Sequence, residues 1–159
     1  VISGLRVRPG ELALDLYCGV GLFAGALVDA RCDVIAVEGN RHAVELARRN
    51  VPDAAFVASD VQAALTGARR GRGRLPGLAD VVVLDPPRSG AGAVVVEQVM
   101  TRRPRAVAYV ACDPAALARD VGTFLAAGWT LESIRAFDLF PMTHHVECVA
   151  ILRPARQDG

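Results

Sequence analysis

Leu14-Asp15-Leu16-Tyr17-Cys18-Gly19-Val20-Gly21-Leu22-Phe23 joins a short apolar run to a segment of helical periodicity, and the reading of this junction decides the fold. The run Leu12 to Tyr17 is bounded and too short for a helix, which is the look of a strand buried on both faces. Gly21 to Ala30 then carries helical spacing. Gly19 and Gly21 allow a sharp turn and let the backbone approach a ligand without side-chain obstruction. A strand feeding a helix through such a turn is one βα unit of a parallel sheet.

The unit recurs along the chain. Asp33 to Glu38, Ala54 to Ala58, Asp80 to Leu84 and Arg105 to Ala111 read as further strands. Helices are expected after them at Asn40 to Asn50, Asp60 to Arg70, Gly92 to Arg103 and Pro114 to Ala127. In the last of these, Leu117, Val121, Phe124 and Leu125 mark one apolar face. Five βα units predict a parallel, doubly wound α/β sheet. After Gly128 the pattern changes. Trp129 to Phe137 and Val146 to Leu152 read as two strands with no helix between them, joined through Asp138 to His145. Such a pair predicts an antiparallel strand near one edge of the sheet.

The 159 residues suit one domain, and 52% hydrophobic against 22% charged residues excludes a disordered chain. No apolar run approaches the roughly 18 residues of a membrane span, and Val1 to Gly10 lacks the pattern of a secretory signal, so a cytoplasmic protein is expected. The formal charge of +1 gives no global attraction to polyanions. All the basic residues are Arg, a compositional habit that carries no functional weight. Arg69, Arg70 and the Arg- and Gly-rich stretch Gly71 to Gly77 read as a solvated connection. They lead into the N-terminal end of a strand, whereas ligands of open α/β sheets bind at the carboxyl ends. Arg102, Arg103 and Arg105 lie on that far side and receive the same reading. Cys18, Cys32, Cys112 and Cys148 are spaced too widely for paired zinc ligands, and no metal site is expected.

At the carboxyl edge, Glu38 ends the second strand, where an acid can accept hydrogen bonds from both ribose hydroxyls of an adenosine cofactor. Asp60, just past the third strand, is placed to meet the adenine edge. The pyrophosphate of NAD prefers a third glycine where this chain has Ala24, with Gly25 one residue late. Asp15 would also meet a pyrophosphate unfavourably, but it can neighbour the cationic amino-acid end of S-adenosylmethionine. The balance favours S-adenosylmethionine.

Asp85-Pro86-Pro87-Arg88-Ser89-Gly90 follows the fourth strand. Its prolines remove two backbone donors and stiffen the loop, so that Asp85 and Arg88 are presented with little freedom to a flat heterocycle. Asp-Pro-Pro is also simply a good turn. Cys112 ends the fifth strand, ahead of Asp113 as a helix cap and Pro114 at the first helical position. A thiol there feels the positive end of the helix dipole, which favours the nucleophilic thiolate, although lone cysteines are more often inert core residues. Cys32 and Cys148 read as such inert residues, and Cys18 as packing under the cofactor. Glu147 opens the last strand. If that strand inserts antiparallel beside the fifth, Glu147 lies next to Cys112 and can serve as a base; otherwise it is a salt-bridged strand residue. His144 and His145 lack metal-ligand partners at useful spacing and read as loop hydrogen-bonding groups.

Leu14 to Gly21, Val37-Glu38-Gly39-Asn40, Asp85 to Gly90, Tyr109-Val110-Ala111-Cys112-Asp113-Pro114 and Phe140 to Glu147 together resemble the uracil-5 RNA methyltransferase family, in the family's order and over nearly the whole chain. The resemblance implies a class I, Rossmann-like S-adenosylmethionine-dependent methyltransferase fold. Its seven-stranded sheet is mostly parallel, with the seventh strand antiparallel between the fifth and sixth. It implies Cys112 as nucleophile and Glu147 as base. It also gives Tyr17, Leu22, Glu38, Asp60 and Asp85 to the cofactor, with Asp85 also near the uracil. Asp113 stands where Asn is common in the family.

Family members carry N-terminal RNA-facing segments beyond such a domain. Residues 1–159 are therefore expected to be the catalytic domain of a longer protein, with tRNA or ribosomal RNA held mainly by those segments. The implied chemistry is thiolate addition at carbon 6 of uracil, methylation at carbon 5, and removal of the carbon 5 proton by a base. Two rivals remain. A cytosine-5 RNA methyltransferase would also use a cysteine, but Asp85 to Arg88 suits an amino group poorly. A non-catalytic cofactor-binding module would need neither Cys112 nor Glu147.

Overall fold

The computed structural model describes residues 1–67, 75–138 and 146–155. Its elements run α1 (Ile2–Leu5), β1 (Leu12–Leu16), α2 (Leu22–Asp29), β2 (Asp33–Glu38), α3 (Arg41–Asn50), β3 (Ala55–Ala58) and α4 (Val61–Thr66). They continue with β4 (Val81–Leu84), α5 (Ala93–Met100), β5 (Ala106–Ala111), α6 (Pro114–Ala126), β6 (Trp129–Phe137) and β7 (Glu147–Pro154).

The seven strands form one sheet in the order β3-β2-β1-β4-β5-β7-β6. The first five are parallel, and β7 is antiparallel to both its neighbours, as the sequence led us to expect. The chain winds outward from β1 to β3 and then returns to β4 beside β1. The order reverses there, so the crevice at the carboxyl ends of β1 and β4 is where this topology places a ligand. β4 reads as an unbroken apolar run, and β1 as one interrupted only by Asp15, because helices cover both faces. Leu14, Leu16, Val82 and Leu84 pack in a cluster under α4, α5 and α6. Ala13, Val81 and Val83 pack in the opposite cluster with Leu5, Ala24 and Leu27 of α1 and α2. No helix among the described residues is long and apolar enough to cross a membrane.

Several expectations need correction. α4 stops at Thr66, because Gly67 takes a left-handed conformation (φ 70°) and its N–H closes on the Ala63 carbonyl; residues 68–74 lie outside the described residues. α5 is shorter at both ends, since Gly92 (φ 81°) precedes it and Arg103 (φ 52°) cannot continue it. α1 is a single turn with no apolar periodicity to announce it, yet it delivers Leu5 to the core. On α6, Leu125 is 46% exposed, and the buried stripe is Leu117, Val121 and Phe124 with Asp120.

Of the far-side arginines, Arg103 is exposed as expected, but Arg102 and Arg105 are not solvated groups. Arg102 is buried, donating to the Gln98 and Leu65 carbonyls. Arg105 pairs with Glu11 and donates to the Leu5 and Arg6 carbonyls. Both fasten helix ends and the N-terminal segment to the sheet.

Candidate active site

The loop after β1 is held in an unusual backbone state. Tyr17, Gly19 and Gly21 have φ of 66°, 53° and 95°. The left-handed region strains a residue with a Cβ, so Tyr17 needs compensation. The Tyr17 and Cys18 N–H groups both donate to the Val37 carbonyl, at 2.9 and 3.1 Å. At Gly21 a Cβ would also stand 3.2 Å from Val51 Cγ2, so glycine lets α2 start close against the end of α3. Glu38 ties this loop to the next one. Its Oε2 accepts from Gly19 N–H (3.1 Å) and its Oε1 from Asn40 N–H (2.7 Å). Asp60 caps α4 through Oδ1, which accepts from Ala63 N–H at 2.9 Å. Tyr17, Glu38, Gly39, Asp60, Val61, Asp85 and Pro87 line a cavity of about 360 Å³.

Asp15 lies fully buried beneath the loop, and neither carboxylate oxygen has a hydrogen-bond partner among the described residues. Burial pushes its carboxyl up to about 7; the nearby Ala24 amide opposes the shift without closing a hydrogen bond, while the charges of Asp85 and Glu38 add to it. A buried carboxylate left without a partner is costly, and such a group is stabilised when a cation reaches it.

A second cavity, of about 470 Å³, holds the reactive candidates. Ala111 of β5 pairs with Cys148 of β7, so the residues just beyond, Cys112 and Glu147, come to the same end of the ladder. Both line this cavity with Asp85, and Val1, Leu22, Phe23, Val110, Phe137 and Val149 supply apolar surface. Asp113 caps α6 by accepting from Ala116 N–H at 2.7 Å, with Pro114 in the first turn, as its sequence predicts. Asp85 lines both cavities; its N–H donates to the Leu16 carbonyl (3.2 Å), and burial, then the charge of Glu147, push its carboxyl up to about 6.

Arg88 is exposed on the stiff loop and belongs to neither cavity's lining. Cys18, Cys32 and Cys148 are buried, and burial pushes all three thiols up, Cys18 to about 12, as suits inert packing. His144 and His145 lie outside the described residues. Phe137 and Phe23 are the aromatic lining that the sequence did not single out. Phe137 reaches the site because it pairs with Glu147 across β6 and β7, and the Arg135 guanidinium sits 5.2 Å from its ring centre.

Residues 5–155 match the tRNA (uracil-5-)-methyltransferase family, and the chain belongs to that family. It is 54% identical over 158 residues to an uncharacterized RNA methyltransferase of Streptomyces avermitilis, covering 98% of this chain and 36% of that protein. It is 37% identical to the 23S rRNA (uracil(1939)-C(5))-methyltransferase of Shewanella sediminis, over 94% of this chain and 34% of the relative. Among solved structures, Pyrococcus abyssi tRNA (uracil-54, C5)-methyltransferase in complex with S-adenosyl-L-homocysteine superposes with a TM-score of 0.77 at 33% identity. That match covers 94% of this chain and 36% of the other. The chain thus spans about a third of the length of these relatives.

Proposed function

We propose that this chain transfers a methyl group from S-adenosylmethionine to carbon 5 of a uridine in RNA, with Cys112 as nucleophile and Glu147 as base. One observation carries the reading: Cys112, Glu147 and Asp85 meet on one cavity, and Asp85 also walls the adjoining cavity of Glu38 and Asp60. Residues 1–159 would then be the catalytic unit of a longer cytoplasmic protein, in keeping with the share of the relatives' length that the chain spans.

The residues present fit the cofactor. The orphaned oxygens of Asp15 suit a cationic ammonium group. Glu38 uses one lone pair on each oxygen for a backbone amide and keeps others for ribose hydroxyls. Asp60 spends one oxygen on its helix and offers the other to the adenine edge. Tyr17, Gly19, Gly21 and Leu22 complete the cradle. When bound, S-adenosylmethionine supplies the electrophilic methyl group that carbon 5 takes up.

Carbon 5 of uracil is too weak a nucleophile to react unaided. The Cys112 sulfur adds to carbon 6, and the ring electrons shift to an enolate that makes carbon 5 nucleophilic. Asp85 and Arg88 hold the ring and its oxygens. Glu147 then takes the carbon 5 proton, the ring double bond re-forms and the Cys112 thiolate leaves. The target base must be out of any stack to reach the cavity.

The test is a denaturing gel with labelled RNA and the complete gene product. Cys112→Ala should give neither methylated RNA nor a covalent adduct. Glu147→Gln keeps the nucleophile but not the base, so protein linked to methylated RNA should accumulate. Methylation by Cys112→Ala would overturn the covalent route. Normal turnover by Glu147→Gln would move the base elsewhere, with His145 the next candidate.

A further inference from the structure

Asp120 of α6 is fully buried, and its carboxylate gathers donors from three other places in the chain. Its Oδ2 accepts from Tyr109 Oη (2.5 Å), Ala91 N–H (2.7 Å) and Gly92 N–H (3.1 Å). Its Oδ1 accepts from Arg119 Nε (3.1 Å), while Arg119 Nη2 donates to the Ser89 carbonyl (2.7 Å). Burial alone would raise this carboxyl, yet the Tyr109 hydroxyl, the two amides and the guanidinium hold it below the usual range, so Asp120 is charged. Gly92 caps α5 without a side chain of its own. Asp120, from a neighbouring helix, accepts from the N–H groups of Gly92 and of Ala91 just ahead of it, as the carboxylate at the third helical position of a capping box accepts from the cap N–H.

The contacts at Ser89, Ala91 and Gly92 fall on the segment that follows Arg88, and Tyr109 Oη joins them by accepting from Ala91 N–H (2.9 Å). Its front end is pinned to β1 through Asp85 N–H and the Leu16 carbonyl. Its back end is pinned to α6, the helix that begins just after Cys112. Gly90 has φ 82°, and a Cβ there would stand 2.6 Å from Asp120 Oδ2 and 2.5 Å from Arg119 Nη2, so the segment closes on the clamp only with glycine. We infer that Asp120, with Tyr109 and Arg119, is a clamp that sets where the Asp85–Arg88 segment stands relative to Cys112, and thereby how tightly the uridine is held. The inference rests on the roles proposed above for Asp85, Arg88 and Cys112, and it makes Asp120 a positioning residue.

The test measures methylation against RNA concentration for the complete gene product, with the folded fraction from thermal unfolding and S-adenosylhomocysteine affinity from calorimetry. Asp120→Asn keeps the shape but loses the charge and an acceptor. It should raise the RNA KM at least about ten-fold, with kcat per folded molecule within about three-fold and cofactor affinity within about two-fold. A purely structural role would lower the melting temperature and the folded fraction while leaving KM where it was. Tyr109→Phe added to Asp120→Asn should cost little more, since both act through one network.

Should Asp120→Asn fail to fold, Arg119→Ala tests the same contact from a largely exposed side chain and should raise KM about three-fold. An unchanged KM in folded Asp120→Asn, or in Arg119→Ala when Asp120→Asn does not fold, overturns the clamp. A parent protein that neither methylates uridine nor forms an adduct overturns the functional reading itself and the clamp's role with it.

Discussion

Asp85 and Glu147 share one cavity wall, and burial together with the Glu147 charge pushes the Asp85 carboxyl up to about 6. The charge component depends on Glu147 being close and ionised. Glu147→Gln should therefore lower the Asp85 midpoint, read from the carboxyl carbon shift of labelled aspartate in an NMR titration. An unchanged midpoint would mean that the two carboxylates do not sense each other.

Asp15 makes the free chain less stable as the pH rises. In an unfolded chain its carboxyl titrates near 4, whereas burial holds it at about 7 in the fold. Between those values the native state keeps a proton that the unfolded state has lost, so stability falls across that window. Asp15→Asn cannot ionise and should escape the loss. Relative to the parent, it should gain about 3 kcal/mol on going from pH 5 to pH 8 in chemical denaturation. No relative gain would show that the Asp15 charge has a partner in the free protein.

Glu38 holds the loop, and its proposed part in cofactor binding can be tested by substitution. Glu38→Ala removes the acceptor proposed for the ribose and also frees the Gly19 and Asn40 amides that shape the loop. S-adenosylhomocysteine affinity should fall by at least about ten-fold. Glu38→Gln retains one acceptor oxygen and should lose less. Calorimetry that finds Glu38→Ala binding as tightly as the parent would remove Glu38 from the cofactor site.

The parts of this fold that are legible in the sequence are those decided within a few consecutive residues. The Gly19–Gly21 turn, the apolar runs of β1 to β5, and Asp113-Pro114 at the start of α6 are of that kind. The insertion of β7 beside β5 is legible only as a condition, because an antiparallel pair does not announce its neighbour; the family motifs supply it. Asp120 is hidden for the opposite reason. It reads as a polar residue in mid-helix, and the groups that make it buried and charged belong to Tyr109, Ala91 and Gly92. Arg102 and Arg105 mislead in the same way. Charge near a loop suggests solvent, but carbonyls of α4, α5 and the N-terminal segment take up their donors.

RNA affinity of these 159 residues by themselves should be weak. Non-specific affinity comes from cations that neutralise phosphates, and it needs several of them on one free surface. This chain is near neutral, and Arg102 and Arg105 are committed to internal carbonyls and to Glu11, at the edge of the sheet away from the cavities. The edge where the uridine would enter instead carries Glu38, Asp60, Asp85 and Glu147 in the cavity walls, with Arg88 exposed beside them. An edge lined by carboxyl groups offers a phosphate backbone little to pair with. Filter binding to transcribed tRNA and ribosomal RNA at moderate salt should give weak association, with a shallow dependence on salt because few counterions are released. Tight, saturable binding that weakens steeply with salt would reveal a cationic surface outside the groups counted above, and the RNA grip would then have to be placed on this chain.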